Sequence, residues 1–276
     1  MGDPLITLVA RRGRNIAVLF ILSLSVVVVH QAYSISLHRP DFPSGWLLLG
    51  LMLFLALYNL RKKLPALPLG TLANWLQFHI YAGLLTVVLF VLHIEMRIPN
   101  GTLEVTLALL FLLIVGSGIL GLALSRGLAR RLRIRGEEVI YERIPAMRQQ
   151  VLQKAEELFE QSISETSSTV IVEFYNQRLV NFFMGPRNFL WHLLGSERPR
   201  QLLLMDLGAL DRYLSAQERE TVAKLNILIR HKDDLDYHIA LQGTLKYWVF
   251  LHIPLTYSLL IISLLHAILA SAYRAG

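Results

Sequence analysis

No cysteine occurs among the 276 residues. That absence excludes disulfides, thiolate metal sites, iron–sulfur clusters and covalent c-type haem attachment together. Any cofactor must be held by other ligands. Acidic residues are scarce as well, with 20 Asp and Glu against 27 Lys and Arg and a formal net charge of +7. Such a charge would suit nucleic acid, but the basic residues gather beside the ends of hydrophobic blocks, where the positive-inside rule places them. The charge is read as topology. Residues 131–244 hold no GxGxxG-type phosphate loop, and the chain has no internal repeat or low-complexity tract.

What the chain has in abundance is apolar sequence: 54% of residues are hydrophobic and the mean hydropathy is +0.48. A bilayer core about 30 Å thick needs roughly 20 apolar helical residues. Five segments approach that length, at about 15–36, 44–61, 71–94, 103–125 and 245–273. The second is strictly apolar only from Trp46 to Leu60, and Tyr58, Arg61, Lys62 and Lys63 extend it by snorkelling. Arg11, Arg12 and Arg14 precede the first segment, Arg61–Lys63 follow the second, and Arg126, Arg130, Arg131, Arg133 and Arg135 follow the fourth. The loops at 37–43 and 95–102 hold only Arg39 and Arg97. This bias predicts a cytoplasmic N-terminus and a C-terminus, Ala275-Gly276, on the far side. No small-residue cleavage motif follows Val29, so the first segment is expected to be retained.

Between the fourth and fifth segments lies a polar-to-mixed insert that the same rule places in the cytoplasm. Met147, Val151, Leu152, Ala155, Leu158 and Phe159 recur at helical spacing and predict a helix over 146–163. Thr169–Tyr175 reads as a strand. Ser215-Ala-Gln-Glu218 is a capping box that starts a further helix running toward the membrane. The expected fold is an all-α transmembrane bundle of five spans, with a small α+β or mostly helical insert. Its divisions are 1–130 for spans one to four, 131–244 for the insert and 245–276 for the fifth span.

Segment three carries His79 and His93, and segment five carries His252 and His266; both pairs are fourteen residues apart. Fourteen helical residues advance about 21 Å and leave the two side chains within roughly 40° of one face. With both segments running outward from the cytoplasm, His79 and His252 share an inner level and His93 and His266 an outer one. Two imidazoles from facing helices fill both axial positions of a haem iron, so the pattern predicts two b-type haems stacked across the bilayer. Histidines hydrogen-bonded between helices would need no shared period. A zinc or copper site fails because ligands about 21 Å apart on one helix cannot meet at one ion.

Supporting features each have a plainer reading. Gly83, Gly116, Gly118 and Gly121 either leave room for flat macrocycles or allow close helix packing. Pro254 is expected to kink the helix beyond His252. Arg97, Arg126 and Lys246 suit haem propionates or serve as interfacial anchors. His30 reads as interfacial, with a quinone site as the minority alternative. His38, His192, His231 and His238 have no ligand-like spacing, and Lys232–His238 reads as a solvated helix face or docking surface.

Phe78-His79-Ile80, Leu92-His93-Ile94, Leu251-His252-Ile-Pro254 and Leu265-His266-Ala267 together resemble the cytochrome b and ferric-reductase-like membrane superfamily, in which paired histidines hold two stacked b haems. The resemblance implies those four histidines as axial ligands. The insert is too small for the flavin and nicotinamide modules of the reductases, and the further spans of the full quinol-oxidising cytochrome b are missing. The plan is closer to the haem-carrying subunits that bacteria pair with multihaem c-type cytochromes. It implies an electron-transfer subunit of an oxidoreductase complex in the bacterial cytoplasmic membrane. The expected partners are membrane lipid and a periplasmic multihaem c-type cytochrome or other redox subunit, with quinone as a further candidate. Direct reduction of a metal or small molecule at the outer face, and a haem-containing anchor or haem-handling subunit, are the rival roles.

Overall fold

The computed structural model describes residues 4–36, 41–63, 70–135, 139–166 and 169–274. The expectations for His38, Arg39, Ala275 and Gly276 lie outside them. The chain is 90% helical, with no strand among the described residues. Five helices are long and apolar enough to cross a membrane: α1 (Pro4–Ile35), α2 (Asp41–Lys63), α3 (Leu72–His93), α4 (Thr102–Ile134) and α10 (Ala216–Arg274).

Local chemistry sets the ends of these helices. Thr71 caps α3 by accepting the Asn74 N–H at 3.3 Å. After His93 the backbone turns through Glu95 and Met96, both in the left-handed region at φ 50° and 56°. In α4, Glu104 lies in the first turn and Arg131 and Arg133 in the last, each complementing the helix dipole. The capping box opens α10, with the Ser215 N–H donating to Glu218 Oε2 at 2.7 Å and the Glu218 N–H to Ser215 Oγ at 3.4 Å. From there α10 continues for 59 residues, through Pro254, whose missing N–H leaves the Phe250 carbonyl without its helical donor.

The chain divides into two compact units, residues 1–120 with 250–276, and residues 121–249. In the first, α2 runs antiparallel to α3: Asp41 and Ser44 meet His93, while Leu55 and Tyr58 meet His79. Leu48, Met52, Leu89, Phe111 and Leu259 form its core, with Phe90 stacked on Phe111 at 4.2 Å. Phe20, Ile21, Ile261 and Ile268 stand exposed, giving α1 and α10 the apolar outer faces that suit a lipid solvent.

The second unit contains α5 (Ile144–Thr166), α6 (Thr169–Phe174), α7 (Val180–Met184), α8 (Phe189–Leu194) and α9 (Arg198–Ala209). The strand expected at Thr169–Tyr175 is instead α6, followed by a π-helical turn over Tyr175–Leu179. The β-branched run Thr-Val-Ile-Val favours a strand by propensity. Its buried residues nevertheless recur at helical spacing, with Ile171, Tyr175, Leu179 and Phe182 all packed into one core. Packing of that face outweighs the propensity.

A second expectation fails in α10. Lys232–His238 is not a solvated face: Lys232, Asp233, Leu235, Asp236, Tyr237 and His238 are all buried. Opposite charges from distant parts of the chain make this tolerable. Arg135 pairs with Asp233 at 2.7 Å and Arg148 with Asp236 at 3.2 Å. Lys232 pairs with Asp236 one turn away and donates to the Gly185 carbonyl at 2.8 Å. His192, which has no ligand-like spacing in the sequence, is buried beside Asp233 at 3.5 Å.

Candidate functional site

The four span histidines all lie in the first unit. His93, at the end of α3, places Nδ1 2.9 Å from the Asp41 carbonyl oxygen and 3.3 Å from Ser44 Oγ. Ser44 Oγ itself donates to the same carbonyl at 2.9 Å. A carbonyl only accepts, so Nδ1 of His93 carries the proton and Nε2 keeps its lone pair. Gly45 makes this placement possible, since a Cβ there would come within 2.8 Å of His93 Cε1.

His79 repeats the device one level away. Its Nδ1 lies 3.2 Å from the Leu55 carbonyl oxygen, with Tyr58 packed at 5.1 Å between ring centroids. On α10, His252 directs Nδ1 to Ser117 Oγ at 3.0 Å. Three of the four rings therefore engage a polar neighbour through Nδ1. Metal-binding histidines are commonly oriented in this way, the far nitrogen being tied to a carbonyl or other polar group.

The structure brings His93 and His266 together, with ring centroids 6.4 Å apart and planes at 83°. Two imidazoles on opposite sides of one metal ion need a similar distance. Each metal–nitrogen bond is about 2 Å, and each ring nitrogen lies about 1.1 Å from its centroid, given C–N bonds near 1.33 Å. The sum is roughly 6 Å. The other end of the unit is tied through α2, where Asn59, next to Tyr58, donates to Tyr257 Oη at 3.2 Å. That contact links the level of His79 to a point five residues beyond His252, so α3 and α10 run in the same direction.

The glycines differ in what surrounds them. A Cβ at Gly83 or Gly116 would meet nothing within 4 Å, and one at Gly118 would reach only His252, at 4.0 Å. These positions leave space beside the histidines. At Gly121 a Cβ would run into the Trp248 indole, which is close packing.

The three basic candidates also differ. Arg97 is exposed and pairs with Glu95 at 3.4 Å, and Arg126 is exposed on α4. Lys246 pairs with Glu142 at 2.7 Å and lies over the Tyr141 ring at 4.3 Å, both within the second unit. Among the described residues, no group of three or more His, Asp or Glu side chains converges on a metal position.

A cavity of about 270 Å³ opens beside the His93 level, lined by Val26, His30, Tyr33, Ser44, Leu47 and Leu89 among others. Both ring nitrogens of His30 are buried and find no hydrogen-bond partner among the described residues. Sequence reasoning missed the supporting groups: the Asp41 and Leu55 carbonyls, Ser44, Gly45 and Ser117. The small residues starting α2 and the run Gly116-Ser117-Gly118 were their only signals. No protein-family model, curated protein or solved structure matches the chain.

Proposed function

We propose that this chain is a dihaem b-type membrane cytochrome that carries electrons across the membrane. In this reading His79 and His252 hold an inner haem, and His93 and His266 an outer one. A quinol or cytoplasmic-side donor supplies electrons, and an acceptor on the periplasmic side, a c-type cytochrome, takes them. The observation that carries the proposal is the His93–His266 pair, 6.4 Å apart with His93 Nδ1 tied to the Asp41 carbonyl. Haem held by these four histidines would supply reversible one-electron chemistry.

The chain's own residues do the positioning. The Asp41 and Leu55 carbonyls accept from Nδ1 of His93 and His79 and so orient both rings, and Ser117 orients His252. Gly83, Gly116 and Gly118 leave open space near the two levels. The surrounding apolar side chains exclude water and favour the less charged redox state.

A specific observation favours a quinone-class partner. His30 offers two unmet ring nitrogens to a mostly apolar cavity, and Ser44 joins that cavity to His93. An apolar body with one polar edge is the ligand such a lining suits. Quinone would then exchange electrons with the outer haem of His93 and His266, and only electrons from a cytoplasmic-side donor would pass through both haems.

Proteoliposomes with external dithionite and entrapped ferricyanide test the wiring. The haem-loaded chain should bleach the entrapped ferricyanide, and His93→Ala should abolish most of the flux. A loaded chain with no flux would contradict the proposal and favour a haem-containing anchor. Fast turnover of external ferric chelates, with no flux to the lumen, would favour the outer-face reductase. For the cavity, His30→Ala should slow haem reduction by decylubiquinol without changing haem content; an unchanged rate would remove the quinone assignment.

A further inference from the structure

Between Glu173 and Glu197 the chain has no acidic residue and two arginines, Arg178 and Arg187. Its large apolar side chains divide sharply. Leu179, Phe182 and Phe183 are buried in the core of the second unit. Met184, Phe189, Leu190, Trp191 and Leu194 are exposed, at between 43% and 79% of their surface. The last four lie on α8, a single short helix closed by Gly195 in the left-handed conformation at φ 81°. Contiguous apolar exposure of this kind marks an interaction surface.

Helix α4 fixes the depth of that surface. Its apolar run gives way at Arg126, and Arg131, five residues on, donates to the carbonyls of His192 and Leu193, the latter at 2.6 Å. Five helical residues rise about 7.5 Å. The headgroup zone on each side of a bilayer is roughly 5–8 Å thick. The end of α8 is thus pinned to a membrane-spanning helix at headgroup depth, with its apolar side chains unburied by protein. Exposed Arg187 and Arg198 flank α8 in the sequence, and exposed Arg130 on α4 belongs to the same unit. Tryptophan, leucine and arginine are the residue types that hold a helix in the interface.

We propose that residues 184–194 form an interfacial membrane anchor. Phe189, Leu190, Trp191 and Leu194 enter the acyl boundary, and Arg187 and Arg198 lie among anionic phospholipid headgroups. The partner is the lipid surface itself, and the inference depends on α4 crossing the bilayer but not on haem.

The cysteine-free chain allows a direct test. Nitroxide labels on Leu190→Cys and Leu194→Cys, in the full chain in nanodiscs containing phosphatidylglycerol, are compared with Glu220→Cys, an exposed position on α10. The labels at 190 and 194 should collide severalfold more with oxygen than with a water-soluble nickel chelate, and the label at 220 should do the reverse. Nickel access at 190 and 194 equal to that at 220 would overturn the proposal. Low access to both reagents would also overturn it, because protein and not lipid would then cover α8. As an independent check, brominated lipid should quench wild-type tryptophan emission more than that of Trp191→Phe; equal quenching would contradict the anchor.

Discussion

In the unit formed by residues 1–120 and 250–276, three of the span histidines meet a backbone carbonyl or a serine hydroxyl through Nδ1. In residues 121–249, Lys232, Asp233 and Asp236 are buried together and met by Arg135, Arg148 and Arg200. The difference follows from what each burial must compensate. A neutral imidazole needs a single hydrogen bond to be tolerated and then has a nitrogen to offer. A buried charge costs several kcal/mol unless it is paired, so its partners consume its chemistry. Isolated polar groups in the spans therefore point to a ligand, and the ionic cluster points to architecture.

Removing ligands from the first region should give the largest effect. His93→Ala and His266→Ala should each lower the haem content from about two to about one per chain, or turn the same haem high-spin. The His79 and His252 variants should affect the other haem, and the double variant His79→Ala with His252→Ala should add little, since both act on one site. Spectra that grouped His79 with His266 would break the comparison. Asp233→Ala should leave haem content unchanged and destabilise the fold by about 1.5–3 kcal/mol, by removing the buried carboxylate that Arg135 and Arg200 share. Denaturant titration reads this, and a loss under 1 kcal/mol would mean the cluster is not structural.

The titration of His192 sharpens the contrast on a smaller scale. Burial, followed by the neighbouring Arg135 guanidinium, pushes its pKa down to about 4. The unfolded chain, with an ordinary value near 6.5, binds the proton first as pH falls. Stability should therefore be lost between about pH 6.5 and 4, by up to about 3 kcal/mol. His192→Gln should flatten that window in urea melts across pH. The smallest effect is expected at the solvated capping box, where Ser215→Ala should cost about 1 kcal/mol and leave the spectra untouched.

The spans and the fourteen-residue period were legible because long apolar runs and helical spacing are local properties of the sequence. The capping box at Ser215 was legible for the same reason. Lys232–His238 was misread because its solvation is decided by Arg135, Arg148 and Arg200, 33 to 98 positions away in sequence from the aspartates they meet. At Thr169–Tyr175 the local signal pointed to a strand, and only the packed face of Ile171, Tyr175 and Leu179 chose a helix. The carbonyls of Asp41 and Leu55 left no trace in the sequence, since every residue has one; only the pairing of α2 with α3 selects them.

The most direct measurement is a reduced-minus-oxidised spectrum of the purified chain with haem quantified per polypeptide. The proposed pairing of His79 with His252 and of His93 with His266 predicts about two low-spin b haems per chain. A chain that is folded in the membrane and binds no haem would contradict the account.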